Sequence, residues 1–365
     1  MAKLIAGIIG AGGITDYHIN GYRAAGAEVK AIADPAADRA RERAKKHGIS
    51  AVYSSYQEML DKQRDISLVS ICVPNKFHAG IAVDCLNAGR HVFCEKPPAI
   101  NSAEAETMKS AADAKGVRLM FDFNNRARPE AQALLKYIRS GETGVINSAQ
   151  ALWTRRCGIP GFGGWFTQKA LSGGGPVIDL LHMIDLALYF MGFPEPAHVL
   201  AGTFSDFARN PEFKGPWGLP DVENPVVDVE MASHALITFT SGQVLFARNS
   251  WAEMNKREEV SVTFQGARAG GLIRRLFGRD GLDGTAVDDC ELYTMEHGRP
   301  VNRTISVEPD EKMGRERAVV NFVRTIEGTE EPFSNAGEAV ILMRIIEAIY
   351  RSAETKQPVS LTACR

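Results

Sequence analysis

The chain reads as an α/β protein. A doubly wound parallel sheet comes first, followed by an α+β region on a large, mostly antiparallel open sheet. Three observations predict this. Short apolar runs alternate with helical patterns through the first third of the chain, as in a parallel sheet covered on both faces. From Val145 the pattern changes to period two, which suits strands with one face on helices. The 365 residues exceed what one core usually serves. The expected division is 1–122 and 123–365, with the C-terminal helices returning to the first domain.

Composition narrows the function classes. Hydrophobic residues are 45% and charged residues 24%, ordinary for a soluble globular protein. The net charge of -2 gives no electrostatic reason to expect nucleic acid or an acidic membrane. No apolar run reaches the ~18 residues that span a bilayer, and Met1 to Ala6 enters a strand rather than a signal peptide. Cys72, Cys85, Cys94, Cys157, Cys290 and Cys364 form no Cys-x-x-Cys pair. No metal site is expected, and reduced thiols point to the cytoplasm.

Residues 3–9 read as a strand ending in Gly10-Ala11-Gly12-Gly13-Ile14-Thr15, with a helical run from Thr15 to Ala25. A glycine turn in this setting brings a pyrophosphate to backbone N–H groups and a helix N-terminus. Thr15 stands where the usual fingerprint has its third glycine. The second strand, Val29 to Ala33, ends at Asp34, near the offset at which an acid binds a ribose hydroxyl. An acid there favours NAD over NADP, whose 2′-phosphate it would repel; NADP is the second candidate. Asp34 also suits a helix cap before Pro35.

Helix Asp38–His47, strand Val52–Tyr53, helix Tyr56–Asp61, strand Ile66–Val73, helix His78–Ala88 and strand His91–Cys94 follow. Ligands of such sheets sit at the carboxyl ends of the strands. Pro74-Asn75-x-x-His78 and Glu95-Lys96-Pro97-Pro98 occupy two of those ends. Lys96, partly desolvated beside a nicotinamide, is suited to proton exchange.

The stretch Gly173–Asp185 reads as a glycine run leading into one helix, with Pro176 at its first position. Asp179 and His182, three apart, project from one face. Leu181, Ile184 and Leu188 mark the core side. A carboxylate and an imidazole so placed can move protons.

Strands are expected at Val145–Trp153, His198–Phe204, Val226–Phe239, Val244–Trp251, Val260–Phe264 and Val301–Val307, with a hairpin turn at Thr240-Ser241-Gly242. Arg155 and Arg156 end the first. Beyond them lies a glycine- and aromatic-rich loop through Trp165 and Phe166. Guanidinium groups and an aromatic face suit a sugar or a carboxylate; a salt bridge and a core tryptophan explain the same residues equally well. Asp206–Pro225, with Trp217, is a long loop of the kind used as a lid or a subunit contact. Gly266–Thr285, arginine-rich, reads as a solvated insertion. Helices Glu316–Ile326 and Ala336–Glu354 close the chain, the second with an apolar stripe of Ile341, Ile345, Ala348 and Ile349.

These pieces, in this order, resemble the Gfo/Idh/MocA family of oxidoreductases. The likeness rests on Gly10-x-Gly12-Gly13-Ile14, Asp34, Pro74-Asn75-x-x-His78, Glu95-Lys96-Pro97 and Phe123-Asn124-x-Arg126. It continues through Arg155-Arg156, Gly158-Ile159-Pro160-Gly161, Trp165-Phe166, the Gly173–Asp185 stretch and Ile345-x-x-Ala348-Ile349-Tyr350-x-Ser352-Ala353. It covers nearly the whole chain. The resemblance implies an NAD(P)-dependent dehydrogenase or reductase acting on a sugar, a cyclitol or a derivative. It implies cofactor contacts at Gly10, Gly12, Gly13, Ile14, Asp34, Pro74, Asn75, His78, Glu95 and Lys96. Substrate contacts are implied at Arg126, Arg155, Arg156, Trp165, Asp179 and His182. It also implies a homodimer or homotetramer formed through the C-terminal sheet.

In such proteins the Glu-Lys-Pro lysine, often beside a cis Lys-Pro peptide, reaches the reacting hydroxyl. An aspartate and a histidine of the second domain complete the site. Lys96, Asp179 and His182 match them. The family spaces its aspartate and histidine four apart, whereas here they are three apart. Aligned on His182, the family's aspartate falls on Ile178, and Asp179 lies about 100° round a continuous helix.

Either Lys96 or His182 serves as the base that takes the hydroxyl proton, and the other polarises the oxygen. An NAD-dependent glycoside hydrolase, working by transient oxidation and elimination, needs almost the same residues. A non-catalytic cofactor-binding sensor is the third class, and it would not need Lys96 and His182.

Overall fold

The structure is a computed structural model and describes residues 3–277 and 287–362. Cys364 and the end of the arginine-rich run, from Gly278 to Thr285, lie outside the described residues. The chain forms two compact units. The first is Met1–Arg128 with Asp310–Val340, and the second is Pro129–Pro309 with Ile341–Arg365.

The first unit alternates strands and helices: β1 (Ile5–Ile9), α1 (Thr15–Ala24), β2 (Glu28–Ala33), α2 (Ala37–His47), β3 (Ala51–Tyr53), α3 (Tyr56–Lys62) and β4 (Leu68–Ile71). It continues with α4 (His78–Asn87), β5 (His91–Cys94), α5 (Ser102–Lys115) and β6 (Leu119–Phe121). The six strands pair in the order β3-β2-β1-β4-β5-β6, all parallel. The order reverses between β1 and β4, and this is where sheets of this kind bind ligands. Ile8, Ile32, Leu68, Val69 and Phe93 are fully buried in this sheet, as expected when helices cover both faces. α5 and β6 are additions to the sequence reading. The buried face of α5 is only Ala105, Met108 and Ala112, too small a stripe to stand out as a period.

The second unit begins with α6 (Pro129–Arg139) and β7 (Ile146–Thr154). Then come α7 (Lys169–Ser172), α8 (Pro176–Asp179), α9 (His182–Met191), β8 (Pro196–Phe204), β9 (Ala232–Phe239) and β10 (Val244–Ser250). Last are β11 (Glu259–Gly266), β12 (Gly270–Leu276), β13 (Val287–Glu296) and β14 (Arg299–Thr304). After them α10 (Arg315–Ile326) belongs to the first unit. α11 (Ala336–Thr355) starts in the first unit and ends in the second, and β15 (Val359–Ser360) closes the second. The nine strands run β14-β13-β12-β11-β7-β10-β9-β8-β15. Among the described residues, only β7 and β10 of this sheet pair in parallel. β9 and β10 form the expected hairpin across Thr240-Ser241-Gly242. α9 lies along β7 and β11.

Three sequence expectations need correction. Gly266–Thr285 is not one irregular insertion, because Gly270–Leu276 is a strand. Its Arg274 and Arg275 face Asp289 and Asp288 directly across β13, at 2.6 Å each; cross-strand pairing of opposite charges stabilises a strand that opens on two glycines. The strand expected from Val226 starts only at Ala232. And Gly173–Asp185 does not contain one helix. α8 ends at Asp179, Leu180 and Leu181 break the run, and α9 starts at His182.

α10 packs on α1 within the first unit. A Cβ at Gly21 would stand 2.6 Å from Val319 Cβ and 2.9 Å from the Glu316 carbonyl oxygen, so only glycine lets the two backbones approach so closely. The Phe322 ring of α10 lies 5.3 Å from that of Phe93, tilted by 34°. Among the described residues no single helix is long and apolar enough to cross a membrane.

Candidate active site

In the first unit the site is built at the carboxyl ends of β1, β2, β4 and β5. Gly10 has φ +100, and a Cβ there would lie 2.2 Å from the Cys72 carbonyl oxygen. The turn can therefore be made only by glycine. Cβ positions at Gly12 and Gly13 meet nothing within 4 Å. The turn thus offers bare backbone ahead of α1, the cradle that a dinucleotide pyrophosphate needs. Thr15 is buried and its hydroxyl donates to the Gly10 carbonyl at 3.0 Å. That bond ties the turn to the helix where the third glycine is absent.

Asp34 is buried at the end of β2. Its Oδ2 accepts from the Ala11 N–H at 2.8 Å, its Oδ1 from the Ala36 N–H at 2.8 Å, and Arg39 reaches Oδ1 at 3.4 Å. Capping and a place beside the glycine turn thus coexist. These residues fit NAD. When bound, it supplies a nicotinamide that accepts or donates hydride.

Pro74 leads from β4 into the turn that holds buried Asn75. His78 is fully buried and directs both ring nitrogens at carbonyl oxygens, Nδ1 to Pro97 at 2.7 Å and Nε2 to Val73 at 2.9 Å. Burial lowers its pKa, partly offset by those two carbonyls. His78 ties the end of β4 to the Glu95-Lys96-Pro97 segment, whose Lys96–Pro97 bond is cis. Glu95 lies beneath Lys96, its Oε2 accepting the Lys96 backbone N–H at 3.1 Å. Arg126 is wholly buried in this unit, donating to the Phe333 carbonyl at 2.7 Å and to Glu338, with its guanidinium 4.9 Å over Phe123. It holds residues 333–338 to the unit.

In the second unit the break between α8 and α9 decides the geometry. Glu230, buried, accepts N–H groups from Gly175 and Val177 at 3.0 Å each and the Tyr350 hydroxyl at 3.0 Å. Burial raises the Glu230 carboxyl; the three donors pull against it. A carboxylate at this helix start also meets the favourable end of the dipole. At the other end of α8, Asn249 Nδ2 donates to the Leu180 carbonyl at 2.8 Å and the Pro176 carbonyl at 3.3 Å. Trp251, fully buried, donates its indole N–H to Asp179 Oδ2 at 2.9 Å. The angular offset expected along a continuous helix does not apply, because Asp179 and His182 belong to different helices. Both side chains are buried, and the His182 ring lies 5.5 Å from Trp153.

Arg155 and Arg156 leave β7 at its end. Arg155 Nε donates to Glu258 at 2.8 Å, as does Trp153 Nε1 at 2.9 Å. Its guanidinium lies 5.1 Å over Trp153 and 4.9 Å over Trp217. Arg155 therefore fastens the long Trp217 loop to β7. Arg156 Nε is buried without a partner among the described residues, which keeps it a candidate for a ligand oxygen. Trp165 stacks on Phe166 at 3.8 Å, and Phe166 meets Trp217 edge-on. Glu230, Asn249 and Trp251 were missed by sequence reasoning. They lie on or beside β9 and β10, some fifty to seventy residues from the groups they hold, and no local pattern marks them.

A parallel nucleotide-binding sheet with a lysine at its strand ends, and a second α/β unit carrying an aspartate–histidine segment, define a dinucleotide-dependent oxidoreductase. Comparison with known proteins agrees. Residues 4–123 match a family model described as an oxidoreductase family with an NAD-binding Rossmann fold, and residues 136–361 match that family's C-terminal alpha/beta domain. The chain belongs to this family, Gfo/Idh/MocA. It is 32% identical to D-glucoside 3-dehydrogenase of Escherichia coli (strain K12), over 99% of this chain and 98% of that protein. It is 27% identical to D-xylose 1-dehydrogenase (NADP(+)) 2 of Haloferax volcanii, over 98% of this chain and all of the other. A solved levoglucosan dehydrogenase in complex with NADH superposes with a TM-score of 0.81 at 25% identity, covering 99% of this chain and all of that one.

Proposed function

We propose that the protein moves hydride between NAD and a ring carbon bearing a hydroxyl or carbonyl in a sugar, a glycoside or a cyclitol. The carrying observation is Lys96 at the end of β5, in the same strand-end row as the glycine turn after β1. The full-length likeness to a D-glucoside 3-dehydrogenase supports the substrate class. Gly10, Gly12, Gly13, Ile14 and Asp34 hold the cofactor, with Pro74, Asn75, His78 and Glu95 shaping the strand ends beneath it. Asp34, already bonded to the turn, favours NAD.

Lys96 and His182 share the acid–base work on the reacting oxygen, one taking its proton and the other polarising it, worth ~10²–10⁴-fold. Asp179, fixed by Trp251, supplies an acceptor on the same segment as His182. Arg155, Arg156 and Trp165 line the sugar side. Formation of NADH, followed by its near-ultraviolet absorbance over a panel of glycosides, aldoses and cyclitols, tests the reading. No turnover by folded, NAD-binding protein across the panel would overturn it.

The same proposal includes a homodimer or homotetramer. Leu200, Leu236 and Phe246 stand side by side across β8, β9 and β10 on the face away from α9; Leu200 and Leu236 are exposed, and exposed apolar rows mark association surfaces. Light scattering reads the outcome. Cys72, Cys85, Cys94 and Cys290 are buried thiols, which supports a cytoplasmic location; cell fractionation checks it.

A further inference from the structure

Behind Lys96, inside the first unit, lies a connected set of buried polar side chains that the proposed chemistry does not use. Tyr22, Ser70 and His18 are fully buried, and Asp122 is 2% exposed. Tyr22 Oη lies 2.8 Å from Ser70 Oγ, and Ser70 Oγ lies 2.9 Å from His18 Nδ1. His18 Nε2 lies 3.0 Å from Glu95 Oε1, and Asp122 Oδ2 lies 3.8 Å from His18 Nε2. Glu95 Oε2 accepts the Lys96 N–H. Buried polar groups cost stability unless each finds a partner. Apolar residues of the same volume would serve a core as well or better.

Tyr22 Oη and Ser70 Oγ can each donate or accept, so Ser70 can partner His18 Nδ1 in either role. His18 Nε2, 3.0 Å from a carboxylate oxygen that can only accept, donates to Glu95 Oε1. On the other side, burial and the neighbouring Glu95 charge drive the Asp122 carboxyl well above its ordinary range, and it hydrogen-bonds Glu95. Of the two carboxyls, Asp122 is the one that takes up a proton more readily. Its other oxygen, Oδ1, is buried without a partner among the described residues, tolerable for an acid and costly for an anion. Burial also works to raise Glu95, but the hydrogen bond and charge of His18, with Lys96 and Arg315, outweigh it and hold Glu95 below its usual range. Glu95 is thus held from behind by His18, with Asp122 packed against the same pair.

We propose that His18 and Asp122 are positioning residues for Lys96: they lock the Glu95 carboxylate against the Lys96 backbone, which fixes where the lysine leaves β5. This inference rests on Lys96 being an acid–base residue of the dehydrogenase. The same three side chains bring ligand atoms within 4.8 Å of one another, a spacing a divalent cation would also accept. Proton sharing and metal binding therefore make opposite forecasts for the purified protein.

The test uses full-length His18→Leu, His18→Gln, Asp122→Leu and Asp122→Asn. In His18→Leu, kcat is expected to fall about ten- to a hundred-fold, by analogy with the loss of an outer hydrogen-bond partner behind a metal ligand. The sugar KM and the NADH Kd by fluorescence titration should stay unchanged. His18→Gln, whose amide can still donate towards Glu95, should recover most of the loss, and so should Asp122→Asn relative to Asp122→Leu. Equal losses in His18→Leu and His18→Gln, accompanied by weaker NADH binding, would reduce the network to a structural role and overturn the proposal. So would unchanged kcat in His18→Leu, or one equivalent of divalent metal by elemental analysis.

If the wild-type protein turns over nothing on the panel, the dehydrogenase reading fails on its own. The crystal structure of His18→Leu then decides the positioning inference. A Lys96 N–H released from Glu95 supports it, and a retained bond overturns it.

Discussion

Two buried carboxylates serve the proposed chemistry, and they are held by opposite means. Glu95, at the end of β5, is surrounded by groups that carry exchangeable protons: His18, Asp122 and the lysine next to it. Asp179, at the end of α8, accepts an indole N–H from Trp251, a donor that does not titrate in water. The first arrangement can redistribute charge when its neighbour gains or loses a proton. The second fixes a direction through a donor whose proton stays in place. Glu95 is thus held by groups that exchange protons, and Asp179 is held by an indole that does not.

The largest effect should come from Lys96→Met. Steady-state kcat is expected to drop ~10²–10⁴-fold with NADH binding retained, and a variant within a few-fold of wild type would remove the premise of the comparison. Next comes the contrast itself. Glu95→Gln should change the shape of the pH–rate profile, because it deletes a charge beside Lys96. Trp251→Phe should lower the profile without reshaping it and cost about 1 kcal/mol of stability in urea unfolding, the net worth of one hydrogen bond. Profiles of identical shape in the two variants would show that the ends are held alike.

The smallest effect belongs to a carboxylate outside the comparison. Burial raises Asp16, but hydrogen bonds from Lys46, His47 and Arg43 outweigh it and hold Asp16 well below the ordinary range. Its contribution is therefore complete above the unfolded pKa of about 3.9 and is lost as pH falls through the folded value. Asp16→Asn should cost about 1 kcal/mol at neutral pH, the gap closing on acidification below about pH 4. A gap that widens in acid would contradict the assignment.

Much of the first unit was legible because its physics is local. A strand, a glycine turn and a helix leave their marks within a dozen residues, and Asp34 and Lys96 follow from strand ends alone. His18 left a fainter mark, a polar side chain beside Ile19 and four residues before Tyr22 on a helix face that is buried. The break at Leu180–Leu181 left none. Every residue from Pro176 to Leu188 is buried, so no polar face exists from which to phase one helix or two. The break is set by Glu230, Asn249 and Trp251 arriving from distant strands. β12 was hidden for a related reason, since its stability comes from aspartates on β13 rather than from its own glycine-led sequence.

The packing of α10 on α1 has a consequence for synthesis. The face of α1 around Gly21, and Phe93 beneath it, is covered only when residues Arg315–Ile326 exist. On the ribosome these emerge roughly 200 residues after Arg128, about 10–40 s later at ~5–20 residues per second. The cofactor-binding half is thus begun first and sealed near the end. Its nascent apolar seam is open to chaperones while strands β7 to β14 of the second sheet are being made.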